Sequence, residues 1–225
     1  MQLGMRAFSQ GCWAAFIPVI GFVLVACNSG ITQLVDVHQP VSARVVGLAI
    51  PSEATGRTFC HGVHIGDGKI LTAGHCLHSL TGKVTVKCGL ESSIFGQLEW
   101  FERHDEADIA LIYLPEALKC PITKIDLSEL GGVSSIWLAT RYIQGIVPVL
   151  YQDAFTFRGR QKDNCLERGD SGAPAFVGFP DWEKIPSAVG ILISGQPDCP
   201  AWQTILRFSA VADWLTEVSR SKRSL

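Results

Sequence analysis

The sequence lacks the features typical of nucleic-acid-binding, metal-binding and membrane-spanning proteins. Its 19 basic residues against 21 acidic ones leave a formal net charge of -2, and the chain has no basic stripe that would neutralise phosphates. None of its eight cysteines belongs to a close C-x-x-C pair of the kind that binds zinc. No apolar run reaches the roughly 20 residues that span a bilayer. We therefore expect no nucleic-acid partner, no metal and no cofactor.

The N-terminal segment predicts export. One basic residue, Arg6, precedes an apolar run of 16 residues from Gly11 to Ala26 that ends in small side chains, a pattern typical of a signal peptide. The end of this run, Leu24-Val25-Ala26-Cys27, resembles the lipobox of bacterial lipoproteins, in which the cysteine becomes the lipid-modified first residue after cleavage. That resemblance implies a membrane anchor on Cys27 in the bacterial cell envelope. Asn28 implies the outer membrane or periplasm in a Gram-negative host. The alternative is cleavage nearby, with Cys27 unmodified.

The chain divides into a lipoprotein signal peptide at 1–26, a tether at 27–43 and a folded domain at 44–225. The tether is polar and lacks strong periodicity. Because Cys12 leaves with the signal and Cys27 is assigned to lipid, an even number of cysteines remains in an exported chain, which points to disulfides rather than thiols. These six are Cys60, Cys76, Cys88, Cys120, Cys165 and Cys199.

Short β-rich runs separated by turn residues fill the folded domain. The first set extends from RVVGLAI to IALIYL and includes HIGDGKIL, where the Asp-Gly dipeptide predicts a hairpin. A second set follows a Gly-Gly turn and extends from VSSIWLAT to TILRFS. The last segment changes period and puts four apolar residues on one face of a helix: Val211, Trp214, Leu215 and Val218. The pattern predicts an all-β fold of two small antiparallel barrels closed by a C-terminal α-helix.

Three short motifs hold the residue types of a nucleophilic triad. A serine hydroxyl is a poor nucleophile at neutral pH and needs a base, which a third group must orient. GDSGAP sets Ser171 between glycines, which permit a tight turn that aims two backbone N–H groups at one point. LTAGHC places His75 after an apolar strand, and ADIALIYL places Asp108 at the mouth of another. Taken singly, they also fit a Gly-rich loop, a metal-ligating or packed histidine and a turn aspartate.

The order His75, Asp108, Ser171 and the flanking residues together resemble the trypsin/chymotrypsin family of serine endopeptidases, whereas unrelated triad folds use other orders. The resemblance extends from about Arg44 to Arg220. It implies that Ser171 is the nucleophile, that His75 is the general base and then acid, and that Asp108 fixes the histidine tautomer. It also implies an oxyanion hole made by the N–H groups of Gly169 and Ser171. The family's chymotrypsin-like double barrel, two six-stranded antiparallel β-barrels, is similar to the architecture predicted above.

The resemblance also implies how the cysteines pair. One bridge pins the loop that presents the histidine, and a second lies beside the substrate pocket. The third follows by elimination. The pairs are Cys60–Cys76, Cys165–Cys199 and Cys88–Cys120.

The substrate pocket departs from the family pattern. Asp163 is similar in position to the pocket-floor Asp that pairs with substrate Arg or Lys in trypsin-like members, and Gly195 falls on the opposite pocket wall. Five residues rather than the usual three separate Cys165 from Ser171. A surface-loop Asp163 is therefore an equal alternative to a specificity residue.

Activation also departs from the family pattern. Val45 lies only 15 residues before Cys60, too close for the family's usual activation site, so RVVGLAI is assigned to the first barrel strand. Asp170 then needs another cation, since a buried unpaired carboxylate is costly. We take Arg141 as that partner, with an exposed-loop Arg141 as the alternative. The other histidines, including His61, are assigned as structural or exposed.

The sequence thus predicts an exported, lipid-anchored serine endopeptidase that acts as a monomer on proteins or peptides through an acyl-enzyme. A rival from another class is a catalytically silent relative that binds protein partners, with the inserted residues 166–168 blocking its pocket. A third alternative is an esterase with the same triad.

Overall fold

The computed structural model of the chain describes residues 12–16, 23–27, 44–52, 56–78, 84–88, 92–96, 100–114, 118, 120–140, 144–161, 166–177, 187–196 and 200–220. Residues 1–40 and 41–225 form separate compact units. In the first unit, strand β1 (Cys12–Phe16) pairs antiparallel with strand β2 (Val23–Cys27). Residues 28–43 of the predicted tether lie outside the described residues. The signal peptide, the lipid anchor and the domain boundaries stay predictions.

Seven strands form an antiparallel sheet in the first half of the folded domain: β3 (Val45–Ser52), β4 (Gly56–Gly66), β5 (Lys69–Thr72), β6 (Val84–Cys88), β7 (Ser92–Gly96), β8 (Trp100–Arg103) and β9 (Ala110–Tyr113). Their order across the sheet is β7-β6-β3-β4-β5-β9-β8. In β6, buried residues alternate with partly buried ones, as expected for a strand that covers a core. RVVGLAI forms strand β3, with Val45 fully buried.

The predicted hairpin joins β4 to β5. Its turn consists of Asp67 and Gly68, with φ angles of 50° and 70°. Two consecutive positive φ angles characterise the type I′ turn, whose twist matches that of the flanking strands and which Asp-Gly favours. This local signal therefore sets the first residue pair of the hairpin, Gly66 with Lys69, beyond which the register shifts once, between His64 and Gly66.

Six strands close the second half into a barrel: β10 (Ser135–Ala139), β11 (Gln144–Gln152), β12 (Thr156–Gln161), β13 (Pro174–Val177), β14 (Ala188–Gly195) and β15 (Ala201–Arg207), in the order β10-β11-β12-β15-β14-β13. One sequence run, GIVPVLYQDAFTF, is two strands rather than one. The chain reverses at Asp153, whose carboxylate accepts hydrogen bonds from the N–H groups of Phe155 (2.8 Å) and Thr156 (2.5 Å). An aspartate that bonds the backbone two residues on is a turn former.

The C-terminal helix α1 (Ala212–Arg220) follows a short 3-10 turn. The predicted apolar face is confirmed, since Val211 at the end of that turn and three residues of the helix pack into one core: Trp214, Leu215 and Val218. That core also contains Leu71 of the sheet and Leu206 of the barrel, so the helix seals a contact between the two halves. The predicted all-β architecture of two antiparallel halves with a C-terminal helix is confirmed; in the described residues the second half is a closed six-stranded barrel and the first is a seven-stranded sheet. No helix in the described ranges is long and apolar enough to cross a membrane.

Candidate active site

A single 3-10 turn, Gly74–Leu77, presents His75 after strand β5. Cys76 in this turn is disulfide-bonded to Cys60 of β4, the predicted pair. At Gly74, a Cβ atom would lie 3.1 Å from Asp108 Oδ1. The absence of a side chain there therefore lets the turn approach the carboxylate.

Asp108 fixes both the backbone and the ring of His75. Its Oδ1 accepts the His75 backbone N–H at 2.7 Å, and its Oδ2 lies 2.7 Å from His75 Nδ1. Because a carboxylate only accepts, the proton of this second bond belongs to Nδ1, which leaves the Nε2 lone pair of a neutral ring free to take a proton. Burial alone would raise the pKa of Asp108, but the hydrogen bonds and charge of His75 outweigh it and lower the pKa below its ordinary value.

Ser171 lies in a tight loop of residues 167–172, the Ser171 loop. The Asp170 N–H donates to the Glu167 carbonyl (3.2 Å), and the Glu167 N–H donates to the Asp170 carboxylate (2.7 Å). Gly169 and Gly172 have φ angles of 105° and 85°, which glycine adopts without strain. The backbone conformation of the loop therefore accounts for both glycines of GDSGAP.

His75 and Ser171 line one cleft between the sheet and the barrel. The cleft has a volume of about 240 Å³, and Gly169, Leu192 and Gly195 also line it. Among the residues that the structure describes, no hydrogen bond joins Ser171 to His75. Catalytic hydrogen bonds are often long in a ligand-free enzyme and shorten when substrate binds. The fold thus brings the predicted base and nucleophile to the same cleft.

The N–H groups of Gly169 and Ser171 remain available to a ligand. Within residues 169–173, all of which are described, the N–H groups of Asp170, Gly172 and Ala173 donate to backbone carbonyls, whereas those of Gly169 and Ser171 do not. Both residues line the cleft. Two such donors beside a nucleophile can hold the negative charge that develops on a carbonyl oxygen.

The remaining predicted site residues are only partly described. Gly195, on the opposite pocket wall, is exposed in the cleft. Asp163, Cys165 and Cys199 lie outside the described residues, so the pocket floor and the Cys165–Cys199 pair stay predictions, as does the lipidation of Cys27. The pair assigned by elimination, Cys88–Cys120, is disulfide-bonded.

Asp170 is buried, with its side chain 9% exposed, and burial raises the pKa of this carboxyl. Its predicted partner, Arg141, lies outside the described residues. The imidazole of His61 does face Asp170: Nδ1 is 3.6 Å from the Asp170 Oδ1 atom and 2.8 Å from the Gly169 carbonyl oxygen. No pattern in the sequence assigns His61 more than a structural or exposed position. Its only signal was its position directly after Cys60.

Comparisons with known proteins identify the family and the fold of the chain. The Trypsin family model matches residues 37–215, which is well over half of the chain. The structure of HL collagenase superposes with a TM-score of 0.62 at 19% sequence identity, covering 82% of this chain and 96% of that one. At that identity the likeness concerns the fold alone. Among curated proteins, none matches the sequence. From the family match over residues 37–215, the chain belongs to the trypsin family of serine proteases.

Proposed function

We propose that this chain is a serine endopeptidase in which Ser171, His75 and Asp108 act as a catalytic triad on protein or peptide substrates. The observation that carries the proposal is the His75–Asp108 hydrogen bond of 2.7 Å at the cleft that Ser171 lines. The bond keeps the proton on Nδ1 and directs the basic Nε2 away from the carboxylate. This is the arrangement that a serine nucleophile requires.

The first half of the reaction is acylation. Ser171 Oγ bonds to the substrate carbonyl carbon while its proton passes to His75 Nε2. The oxyanion that forms accepts hydrogen bonds from the N–H groups of Gly169 and Ser171. When the peptide C–N bond breaks, the imidazolium returns the proton to the leaving amine, and the acyl group remains on Ser171.

Water completes the cycle. His75 takes a proton from water, whose oxygen attacks the ester carbon, and a second oxyanion forms at the same two N–H groups. The bond to Ser171 Oγ then breaks, His75 returns the proton to this oxygen, and the product acid leaves. Asp108 keeps the same tautomer available in both halves.

Cleavage after Arg or Lys is the specificity that we propose from Asp163, since a carboxylate in a pocket attracts a cation. Profiling of the wild-type enzyme and the Asp163→Ser variant on substrates with Arg, Lys or Phe before the scissile bond tests this. We expect only the Arg and Lys substrates to lose kcat/KM. Equal losses on all three would refute the assignment.

Export, lipid anchoring through Cys27 and a location in the bacterial cell envelope are a further part of the proposal. The apolar run from Gly11 to Ala26 and the Leu-Val-Ala-Cys sequence carry this part of the proposal. We expect metabolic incorporation of a labelled fatty acid into the wild-type protein and none into Cys27→Ser. Incorporation into both would refute the assignment.

The test of the catalytic proposal is labelling of the full chain with a fluorophosphonate, before and after trace trypsin. We expect labelling of the wild type and of Ser128→Ala, which changes an exposed serine, and none of Ser171→Ala. Labelling only after trypsin would add a maturation cut to the proposal. A folded protein that stays unlabelled under both conditions would overturn it in favour of a silent relative that binds protein partners.

A further inference from the structure

His61 is hydrogen-bonded twice to the Ser171 loop, although it lies in the sheet and the loop leads into the barrel. It lies on strand β4 of the sheet and is buried, with 7% of its surface exposed. Its backbone N–H donates to the Ser171 carbonyl at 2.7 Å. Its Nδ1 lies 2.8 Å from the Gly169 carbonyl oxygen. Because a carbonyl only accepts hydrogen bonds, Nδ1 carries the proton in this contact.

The peptide group between Gly169 and Asp170 is held at both ends. Its carbonyl oxygen accepts from His61 Nδ1, and its N–H donates to the Glu167 carbonyl at 3.2 Å. Gly169 has no side chain to restrict it and a φ of 105°, so without these bonds this peptide would rotate readily.

The peptide that follows Ser171 is also held at both ends. Its carbonyl oxygen accepts the His61 N–H at 2.7 Å, and the Gly172 N–H donates to the Leu192 carbonyl at 2.7 Å. The N–H of Ser171 belongs to the peptide group between Asp170 and Ser171, which has a fixed peptide group on each side. The N–H of Gly169 belongs to the peptide group that directly precedes the first fixed one. His61 therefore contributes one bond to each of the two peptides that set the direction of both oxyanion donors.

The neighbour of His61 connects the same strand to the catalytic histidine. Cys60 precedes His61 and is disulfide-bonded to Cys76, which follows His75. Two adjacent residues of β4 thus hold the loop of the base and the loop of the nucleophile. Because the two attachments come from adjacent residues of one strand, they limit how far the two loops can move apart.

We propose that the His61 imidazole is a positioning residue that aligns the oxyanion donors of the Ser171 loop through its Nδ1–H bond to the Gly169 carbonyl. The inference rests on the proposed protease function. The imidazole itself does not touch the substrate; it restricts the Gly169–Asp170 peptide so that the N–H groups of Gly169 and Ser171 stay converged. Since these donors bind the oxyanion more strongly than the ground-state carbonyl, loss of alignment lowers kcat rather than raising KM.

The experiment compares His61→Leu with His61→Asn in the full chain, using a chromogenic peptide substrate and the concentration of active sites titrated in each sample. Leucine keeps apolar volume but no donor, whereas the asparagine amide places an N–H near the position of Nδ1. We expect kcat per active site to fall about 10- to 100-fold in His61→Leu, part of the loss for a missing oxyanion donor, at unchanged KM. In His61→Asn we expect kcat to return to within about threefold of wild type, because the bond is restored.

His64 offers a matched control on the same strand. It is also buried, and its Nδ1 lies 2.9 Å from the Cys120 carbonyl rather than from the Ser171 loop. A kcat in His64→Leu close to wild type is expected. If His61→Leu keeps the kcat of His64→Leu, or if His61→Asn fails to recover activity, the positioning role is wrong.

Nuclear magnetic resonance separates this inference from the proposed function. In the wild-type chain, we expect the ¹⁵N shift of His61 Nδ1 to show a bound proton; an unprotonated Nδ1 would overturn the inference whether or not a variant folds. Should the folded wild type hydrolyse nothing, the protease proposal fails and the amide signals of Gly169 and Ser171 decide the inference. They should shift in His61→Leu but not in His64→Leu, and unchanged signals would refute it.

Discussion

Two histidine–aspartate pairs in the folded domain use the same chemical groups in opposite environments. His75 and Asp108 approach to 2.7 Å, with side chains 42% and 33% exposed. His61 and Asp170 approach only to 3.6 Å, with side chains 8% and 9% exposed. The first aspartate has a lowered pKa and the second a raised one. Residue type alone therefore does not assign a role to either pair.

Hydrogen bonding explains the difference between the pairs. Asp108 accepts two hydrogen bonds from His75, which favour its charged form over the effect of burial. Asp170 accepts one bond from the Glu167 N–H, while burial and the charge of Glu167 favour its neutral form. In the proposed mechanism, the histidine of the exposed pair exchanges protons with a substrate in the cleft. The buried pair instead belongs to the support of the Ser171 loop, with the His61 ring bonded to a backbone carbonyl.

Breaking the exposed pair should have the largest effect on activity. Asp108→Asn replaces the acceptor with an amide that no longer holds the proton on Nδ1 of His75. We expect kcat at neutral pH to fall about 10⁴-fold, the loss that this exchange causes in the family's best-characterised triad. Steady-state hydrolysis of a peptide substrate measures it, with the exposed Asp105→Asn as control. A loss below tenfold would show that Asp108 does not orient the base.

Gly172→Ala should disrupt the close approach of Gly172 to the backbone of His61, the histidine of the buried pair. A Cβ at Gly172 would lie 2.0 Å from the His61 carbonyl oxygen, at a φ of 85°. Because both the clash and the backbone angle oppose the side chain, we expect the free energy of unfolding to fall by about 2–4 kcal/mol. Urea denaturation measures this loss.

The control for that variant is Gly131→Ala. A Cβ at Gly131 would meet nothing within 4 Å, so we expect a change below about 0.5 kcal/mol. Equal effects of the two substitutions would mean that the Ser171 loop relaxes freely around the added methyl group.

Removing the Cys60–Cys76 disulfide should remove the covalent link between the two histidine–aspartate pairs. Cys60 directly precedes His61, and Cys76 directly follows His75. The closed loop has a sequence separation of 16, and in the chain-entropy model its loss costs about 3 kcal/mol. We expect the Cys60→Ser/Cys76→Ser protein to lose that stability and to label more slowly with fluorophosphonate at a temperature where it is fully folded.

The second disulfide provides the comparison for this uncoupling. Cys88–Cys120 closes a loop with a separation of 32, so its removal should cost slightly more stability, about 3.7 kcal/mol. Neither cysteine adjoins a residue of the two pairs. We expect its labelling rate to match wild type under folded conditions; equal slowing in both double variants would contradict a specific link through Cys60.

The smallest expected effect concerns the pH dependence of the unfolding free energy, which should differ in sign between the two aspartates. The raised pKa of Asp170 means that its contribution is fully present below the unfolded-state pKa of about 3.9 and is lost as pH rises through the folded-state pKa. As pH rises from the unfolded-state pKa to the folded-state pKa, the unfolding free energy of Asp170→Asn should therefore increase relative to that of the wild type. The titratable groups that face Asp170 are His61 and Glu167.

Asp108→Asn should show the opposite trend. The lowered pKa of Asp108 contributes stability above the unfolded-state pKa that is lost as pH falls through the folded-state value. As pH rises from the folded-state pKa towards 4, the unfolding free energy of the wild type should therefore increase relative to that of Asp108→Asn. Urea denaturation between pH 3 and 7 measures both trends, and parallel trends in the two variants would refute the contrast between the pairs.

Local patterns predicted much of the fold. The Asp-Gly turn between β4 and β5 and the apolar face of α1 depend on neighbours along the chain, and both are present. Strand β7 (Ser92–Gly96) was missed, since SSIFG has only two large apolar residues and no clear alternation. The break at Asp153 was missed because apolar residues surround one turn-forming side chain. Local propensity is weak where a partner strand decides the pairing.

The sequence by itself determined the family and the order of the three motifs, because glycine requirements and residue chemistry at the nucleophile, the base and the aspartate are local properties. Only the tertiary structure decided that His61 contacts Gly169 across 108 positions of chain, and that the pKa of Asp108 is lowered while that of Asp170 is raised. Burial and hydrogen bonding depend on which distant backbone groups the folded halves bring together. No periodicity or spacing along the chain records that information.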